Sequence, residues 1–345
     1  MNWSDLPRGC RTPANRISPK AEDRILSIRR FLRERSDLGE CGPQAIRDEM
    51  IRRRLKEVPS ARTIARILGR RGALDGRRRQ RWKSPPRGWF LCDAAARRAE
   101  LDSFDIIEDL VIAGGTDVNV LTGISLHGGL CAAWPAHQVT AKFTVQSLIE
   151  HWRMFGLPNY AKFDNDTVFQ GAHQHPDSFG RVTRLCLSLG VAPVFAPPRE
   201  TGFQADIESF NGRWQTGVWR RFRFADLPDV GRQSRKYVIA SRRKSAGRIQ
   251  DAPARRAFPD NWRFDLQAPL RGMLIFLRRT DERGHATLLG HTYMTSPDWC
   301  SRLVRAEVDL DHHQIRFYAL RRREPNVHRY LSTHAYEPPR KSFQE

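Results

Sequence analysis

Apolar residues recur at helical spacing in the first part of the chain. Ser18-Pro19 supplies an N-cap and a first-turn proline, and Ile25, Ile28 and Leu32 follow on one face with Phe31 beside them. Gly39 and Gly42-Pro43 end that helix and open a second, in which Ala45, Ile46 and Met50 share a face. Pro59-Ser60 opens a third, where Ile64, Ile67 and Leu68 point inward and Arg62, Arg66, Arg70 and Arg71 outward. From residue 103 the pattern changes. Apolar runs over 104–112, 118–126 and 130–134, divided by Gly114-Gly115 and Gly128-Gly129, predict an antiparallel meander of three strands. A helix over 143–155 comes next, with Val145, Leu148, Ile149 and Trp152 on one face. Strand 160–163, helix 179–189, strand 191–196 and a helix from about 203 to 220 complete this segment. Strands alternating with crossover helices predict a mixed sheet with helices on its faces, an α/β (α+β multidomain) fold. Further on, a basic helical stretch leads to short apolar runs near 272–277, 286–289, 303–308 and 315–320, which fit a small β-barrel.

Charge adds a second layer. The 345 residues carry 59 Lys and Arg against 38 Asp and Glu, a formal charge of +21, so a polyanion is the first partner to expect. The excess is uneven: residues 1–90 carry +14, residues 91–210 carry −6 and residues 211–345 carry +13. Two basic arms around an acidic centre suit phosphate binding on either side of carboxylates that hold divalent metal. The three N-terminal helices read as a helix-turn-helix whose last helix enters a DNA groove. Arg62, Arg66, Arg70 and Arg71, with Arg77, Arg78, Arg79 and Arg81 in the basic run that follows, are its candidate DNA-binding residues. Arg321-Arg322-Arg323 suits phosphate contacts without sequence readout. The six cysteines are scattered without a Cys-x-x-Cys pair, which reads as reduced thiols and argues against structural zinc. No apolar run approaches the roughly 18 residues of a membrane span, and the first residues lack a secretory signal, so a cytoplasmic location is expected.

Three carboxylates stand out in the acidic centre. Asp105 lies in the first strand, Asp164 at the tip of the fourth, and Glu208 on the helix after Pro197-Pro198. They are 59 and 44 residues apart, so only the fold can bring them together. On that last helix Gln204, Glu208, Asn211 and Gln215 form a polar stripe, while Phe203, Ile207, Phe210 and Trp214 form an apolar one that aims the carboxylate. Asp102, Glu108 and Asp109 are rivals for the place of Asp105, and Asp109 would share its side on a regular strand.

The strings Lys162-Phe163-Asp164-Asn165-Asp166, Ala196-Pro197-Pro198 and Gln204-Ala205-Asp206-Ile207-Glu208-Ser209-Phe210-Asn211-Gly212 resemble the catalytic core of DDE integrases and transposases of bacterial insertion sequences. Phe104-Asp105-Ile106-Ile107-Glu108, Gly114-Gly115 and Val118-Asn119-Val120-Leu121-Thr122 resemble that family's first strand and hairpin. The interval from Asp164 to Glu208 is longer than usual there, and the excess falls near 171–177, as a loop insertion would. The resemblance implies an RNase H-like core at 99–222. Around it would lie a helix-turn-helix at 18–72, a basic linker at 73–98, a basic helical linker at 223–262 and an SH3-like barrel at 265–335. It implies that Asp105, Asp164 and Glu208 are catalytic and hold two Mg²⁺ (or Mn²⁺) ions. The implied activity is metal-dependent DNA strand cleavage followed by strand transfer. Implied partners are element ends and target DNA, bound by a homo-multimer on paired ends at the bacterial nucleoid, with no membrane. The alternatives are an inactive, domesticated or truncated DNA-binding relative acting as a regulator, and a nuclease that cleaves without joining.

Overall fold

The computed structural model describes residues 17–74, 85–171, 175–200, 202–322, 324–325, 327–338 and 343. Arg77, Arg78, Arg79 and Arg81 lie outside the described residues. The chain divides into two compact units, residues 1–82 and 83–345.

The first unit contains the three expected helices, α1 (Pro19–Arg35), α2 (Pro43–Arg52) and α3 (Ala61–Arg70). The Ser18 and Ser60 hydroxyls accept from the backbone N–H groups of Ala21 and Thr63, so each caps its helix as its position in the chain suggests. Ile25, Ile28, Leu32, Ile46, Met50, Ile64, Ile67 and Leu68 form one buried cluster. Arg70 is paired with buried Glu22, and Arg71 with Asp23, which ties the end of α3 to the start of α1. Arg62 and Arg66 stand exposed on α3.

The second unit has the expected mixed α/β architecture. It begins with a short helix, α4 (Cys92–Ala95), followed by β1 (Leu101–Ile112), β2 (Thr116–Ser125) and β3 (Cys131–Ala136). Next come α5 (Ala141–Phe155), β4 (Tyr160–Phe163), α6 (Thr167–Gln170), α7 (Arg181–Ser188) and β5 (Ala192–Phe195). Helix α8 (Ala205–Trp214), α9 (Leu227–Lys244) and α10 (Ala246–Gln250) lead into the C-terminal strands. These are β6 (Met273–Arg279), β7 (His285–Leu288), β8 (His291–Met294), β9 (Leu303–Asp309), β10 (Gln314–Ala319) and β11 (Arg329–Ala335).

Strands β1, β2 and β3 pair antiparallel, while β4 and β5 run parallel beside β1, giving the order β3-β2-β1-β4-β5. The sheet continues: β6 pairs in parallel with β5, and β9, β10 and β11 follow antiparallel, while β7 and β8 form a separate two-stranded ribbon. The C-terminal strands expected as a small β-barrel at 265–335 are present, and β6 and β9 to β11 share one sheet with the core while β7 and β8 pair apart. Two apolar layers cover the two faces. Phe104, Leu148, Trp152, Phe163, Leu185, Cys186 and Phe195 bury the face under α5 and α7. Trp89, Phe90, Leu101, Val194, Ala196 and Phe203 bury the other.

Three expectations need correction. Residues 85–98 are not free linker: Trp89, Phe90 and Leu91 are core residues, because aromatic surface of that size is too costly to leave in water. The helix expected over 203–220 ends as α8 at Trp214 and continues as a π-helical turn, Gln215–Trp219. The basic helical linker expected at 223–262 is helical as α9 and α10 but is packed on the core: Trp214 donates through Nε1 to Ser234 (2.9 Å) and Arg242 to the Cys131 carbonyl (2.7 Å), fixing α9 beside β3. Among the described residues no helix is long and apolar enough to cross a membrane.

Candidate active site

The register of the parallel pair sets the site. Ser103 lies opposite Lys162, so two residues further on Asp105 lies level with Asp164, on strands about 4.8 Å apart. Side chains two apart on a strand share a face, so Ser103 and Asp105 face the same side as Lys162 and Asp164. Helix α8 covers that side of β1 and β2. Asn211, one turn beyond Glu208, donates to Asp105 Oδ2 (2.8 Å) and accepts at its own Oδ1 from the Thr122 hydroxyl (2.7 Å). The polar stripe read from the chain therefore reaches the first carboxylate, while Phe203, Ile207, Phe210 and Trp214 are all buried as anchors.

Burial pushes the Asp105 carboxyl up to about 6, with the negative charges of Asp164 and then Glu208 adding to the rise. The backbone N–H of Ile106 and the side chain of Asn211 pull the other way. The three predicted carboxylates thus share one electrostatic neighbourhood. Lys162 lies in the same field. Its buried ammonium donates to the Phe203 carbonyl (2.5 Å), just before α8, and lies 5.2 Å from the Phe90 ring centre. Burial brings Lys162 down to about 8, against the pull of Asp206, Glu208 and Asp105.

Asp164 extends past the end of β4, where parallel strands commonly present ligands. Its Oδ1 accepts from the Asp166 backbone N–H (3.0 Å), and Asp166 in turn caps α6. Glu208 is exposed in the first turn of α8. Among the described residues, no three His, Cys, Asp or Glu side chains stand close enough together to hold a metal ion. The donor set itself, all carboxylate oxygen, fits a hard divalent cation.

The rivals of Asp105 lie elsewhere. Asp102, of opposite parity, is buried on the other face and is gripped by Arg255 through both oxygens (2.9 and 2.5 Å) and by Trp152 Nε1 (3.0 Å). Burial alone would raise its carboxyl, but the Arg255 guanidinium outweighs that and holds it below the ordinary carboxylate range. A β-bulge between Ile107 and Leu110 breaks the alternation before Asp109, which is exposed with φ +58°. The regular strand that would have aligned Asp109 with Asp105 does not exist.

One contact had no sequence signal. Arg278 on β6 reaches Asn165, the neighbour of Asp164, at 3.0 Å. Nothing in the alternating apolar run of β6 marked that arginine as an inward residue.

No protein-family profile and no curated protein matches this chain. Among solved structures, it is similar to the HTLV-2 integrase catalytic core domain in complex with magnesium, at 12% identity over 46% of this chain and 87% of that one, with a TM-score of 0.31. The catalytic core domain of BIV integrase matches at 16% identity, over 41% of this chain and 81% of that one, with a TM-score of 0.31. The simian T-cell lymphotropic virus intasome in complex with PP2A regulatory subunit B56 gamma matches at 13% identity, over 77% and 85%, with a TM-score of 0.33. Scores this low add nothing to what the strand order and the carboxylates say by themselves.

Proposed function

We propose that this chain is a DDE-type polynucleotidyl transferase, a transposase or integrase that cleaves DNA strands and joins the freed 3′-hydroxyl to target DNA. The observation that carries the reading is geometric: Asn211, one turn beyond Glu208 on α8, donates to Asp105 (2.8 Å), and the β1–β4 register sets Asp105 level with Asp164. Asp105, Asp164 and Glu208 are the proposed Mg²⁺ or Mn²⁺ ligands. When bound there, a pair of such ions would neutralise the cluster, activate the attacking oxygen and stabilise the leaving one. Asn211 orients Asp105, Lys162 holds the start of α8 at the Phe203 carbonyl, and the apolar stripe of α8 keeps Glu208 over the sheet. Arg62 and Arg66, with the basic stretch after α8, would contact DNA phosphates of element ends and target. The working form would be a homo-multimer on paired ends at the bacterial nucleoid.

A second reading is favoured by one observation. The three carboxylates do not form a ready three-ligand site among the described residues, as a DNA-binding regulator on a retired catalytic fold would also show. One experiment separates the two. Labelled duplexes carrying the DNA that flanks the gene are incubated with a supercoiled plasmid and Mg²⁺ or Mn²⁺. Joining that needs metal, and that Asp164→Asn and Glu208→Gln abolish, supports the transferase. Cleavage without joining supports a nuclease. Plasmid binding without either reaction, indifferent to metal and to Glu208→Gln, supports the regulator.

A further inference from the structure

Burying a guanidinium without a carboxylate is costly, so a cation found in that state calls for a physical reason. Arg278 on β6 is 8% exposed, and among the described residues no carboxylate pairs with it. Desolvation lowers it to about 10. Its fork is instead distributed over four places. Nε donates to the Thr287 carbonyl on β7 (3.2 Å). Nη1 donates to its neighbour Leu277 (2.9 Å) and to the Ala196 carbonyl at the end of β5 (3.3 Å). Nη2 donates to Asn165 Oδ1 (3.0 Å). Asn165 turns its own Nδ2 to the same Ala196 carbonyl (2.6 Å), whose N–H in turn bonds Phe163 O (3.0 Å).

Asp164 sits inside this frame. The residue before it, Phe163, is fixed by the sheet, and the residue after it, Asn165, is fixed by Arg278. The register explains why Arg278 can reach. Phe163 lies opposite Phe195 and Phe195 opposite Phe276, so residues just past these points leave the sheet at the same edge. A planar fork of five donors can serve three elements at once; an ammonium cannot.

We propose that Arg278 is a positioning residue for Asp164, so that the C-terminal β segment forms part of the framework of the reaction centre. The inference rests on the reading of Asp164 as a metal-binding carboxylate. It extends that reading by making the activity depend on β6, far along the chain from the three acids.

The test uses the full chain with Arg278→Met and Arg278→Lys. The Met variant should fold, because an apolar side chain of similar length replaces a buried cation with no carboxylate partner among the described residues. Hydrogen–deuterium exchange, without metal or DNA, compares peptides over 163–171 with peptides over 303–319. Exchange at 163–171 should rise at least tenfold in Arg278→Met while 303–319 keeps its protection. In strand transfer, kcat should fall at least tenfold with KM for DNA unchanged within twofold, and Arg278→Lys should recover part of the loss. Unchanged exchange at 163–171, or equal loosening of both regions, overturns the proposal. So does a normal kcat in Arg278→Met alongside an active wild type. A wild type with no metal-dependent joining overturns the catalytic reading instead, and the exchange data then decide by themselves whether Arg278 anchors the loop.

Discussion

Replacing Asp105 by Asn should stabilise the protein and, on the transferase reading proposed above, abolish strand transfer. The carboxyl is raised from the ordinary 3.8 to about 6 by burial and by the charges of Asp164 and Glu208. A group whose folded pKa lies above its unfolded one favours the folded state only while it is protonated there. Stability from Asp105 is therefore intact below about pH 4, falls as pH rises through the window from 3.8 to about 6, and stays reduced above it. At about 1.4 kcal/mol per pH unit, the full penalty at pH 7 is about 3 kcal/mol at most, because the side chain keeps some contact with solvent. Asn keeps an oxygen for Asn211 to donate to and removes the charge. The assay is urea unfolding of wild type and Asp105→Asn at a series of pH values from 4 to 8, with a chelator present. The two curves should coincide near pH 4 and diverge to a gain of about 1–3 kcal/mol for the variant at pH 7, or several degrees in Tm. A difference that does not grow between pH 4 and pH 7, or a variant less stable than wild type at pH 7, refutes the idea that burial, with the neighbouring charges, makes the ionised Asp105 costly to the fold. Function is the natural reason to tolerate such an arrangement.

Asp102→Asn should behave in the opposite sense at pH 7, costing about 3–5 kcal/mol in urea unfolding, since it leaves Arg255 buried without its counter-charge. Asn211→Ala should cost about 1–2 kcal/mol, because it strips a donor from Asp105 and an acceptor from Thr122. On the transferase reading proposed above, the same variant should move the acidic limb of the strand-transfer pH profile upward, as a hydrogen bond that favours the ionised carboxylate is lost. His151 is lowered to about 3, chiefly by burial, so the folded state keeps it neutral while the unfolded chain protonates it below about pH 6.5. Stability should therefore fall as pH drops from 6.5 toward 3, by up to about 1.4 kcal/mol per pH unit. His151→Phe should flatten that slope in thermal unfolding scans, and an unchanged slope would assign the acid sensitivity to other groups.

Much of the architecture was legible because local physics set it. Ser18 and Ser60 cap the helices their positions announce, and β1 to β5 with α5 and α7 fall within a few residues of the periodic runs that predicted them. The apolar stripe of Phe203, Ile207, Phe210 and Trp214 was readable for the same reason, since residues three and four apart on a helix share a face. Strands β8 and β11 carry no such signal: both are largely exposed, so they show no alternation of buried and polar residues. The insertion near 171–177 was visible only as surplus length, yet Asp177 bonds His291 (2.9 Å) and the Tyr336 hydroxyl (2.9 Å), groups more than a hundred residues away.

The chain by itself determined its helices and strands, its two basic arms and the identity of three candidate carboxylates, because periodicity, caps and composition act over a few neighbouring residues. Only the tertiary structure separated Asp105 from Asp102 and Asp109, by strand parity, by a bulge and by which face meets α8. Only it revealed Arg278 beside Asn165 as well: pairing between β5 and β6 is a long-range event, and no short-range pattern records which distant strand a residue will lie against.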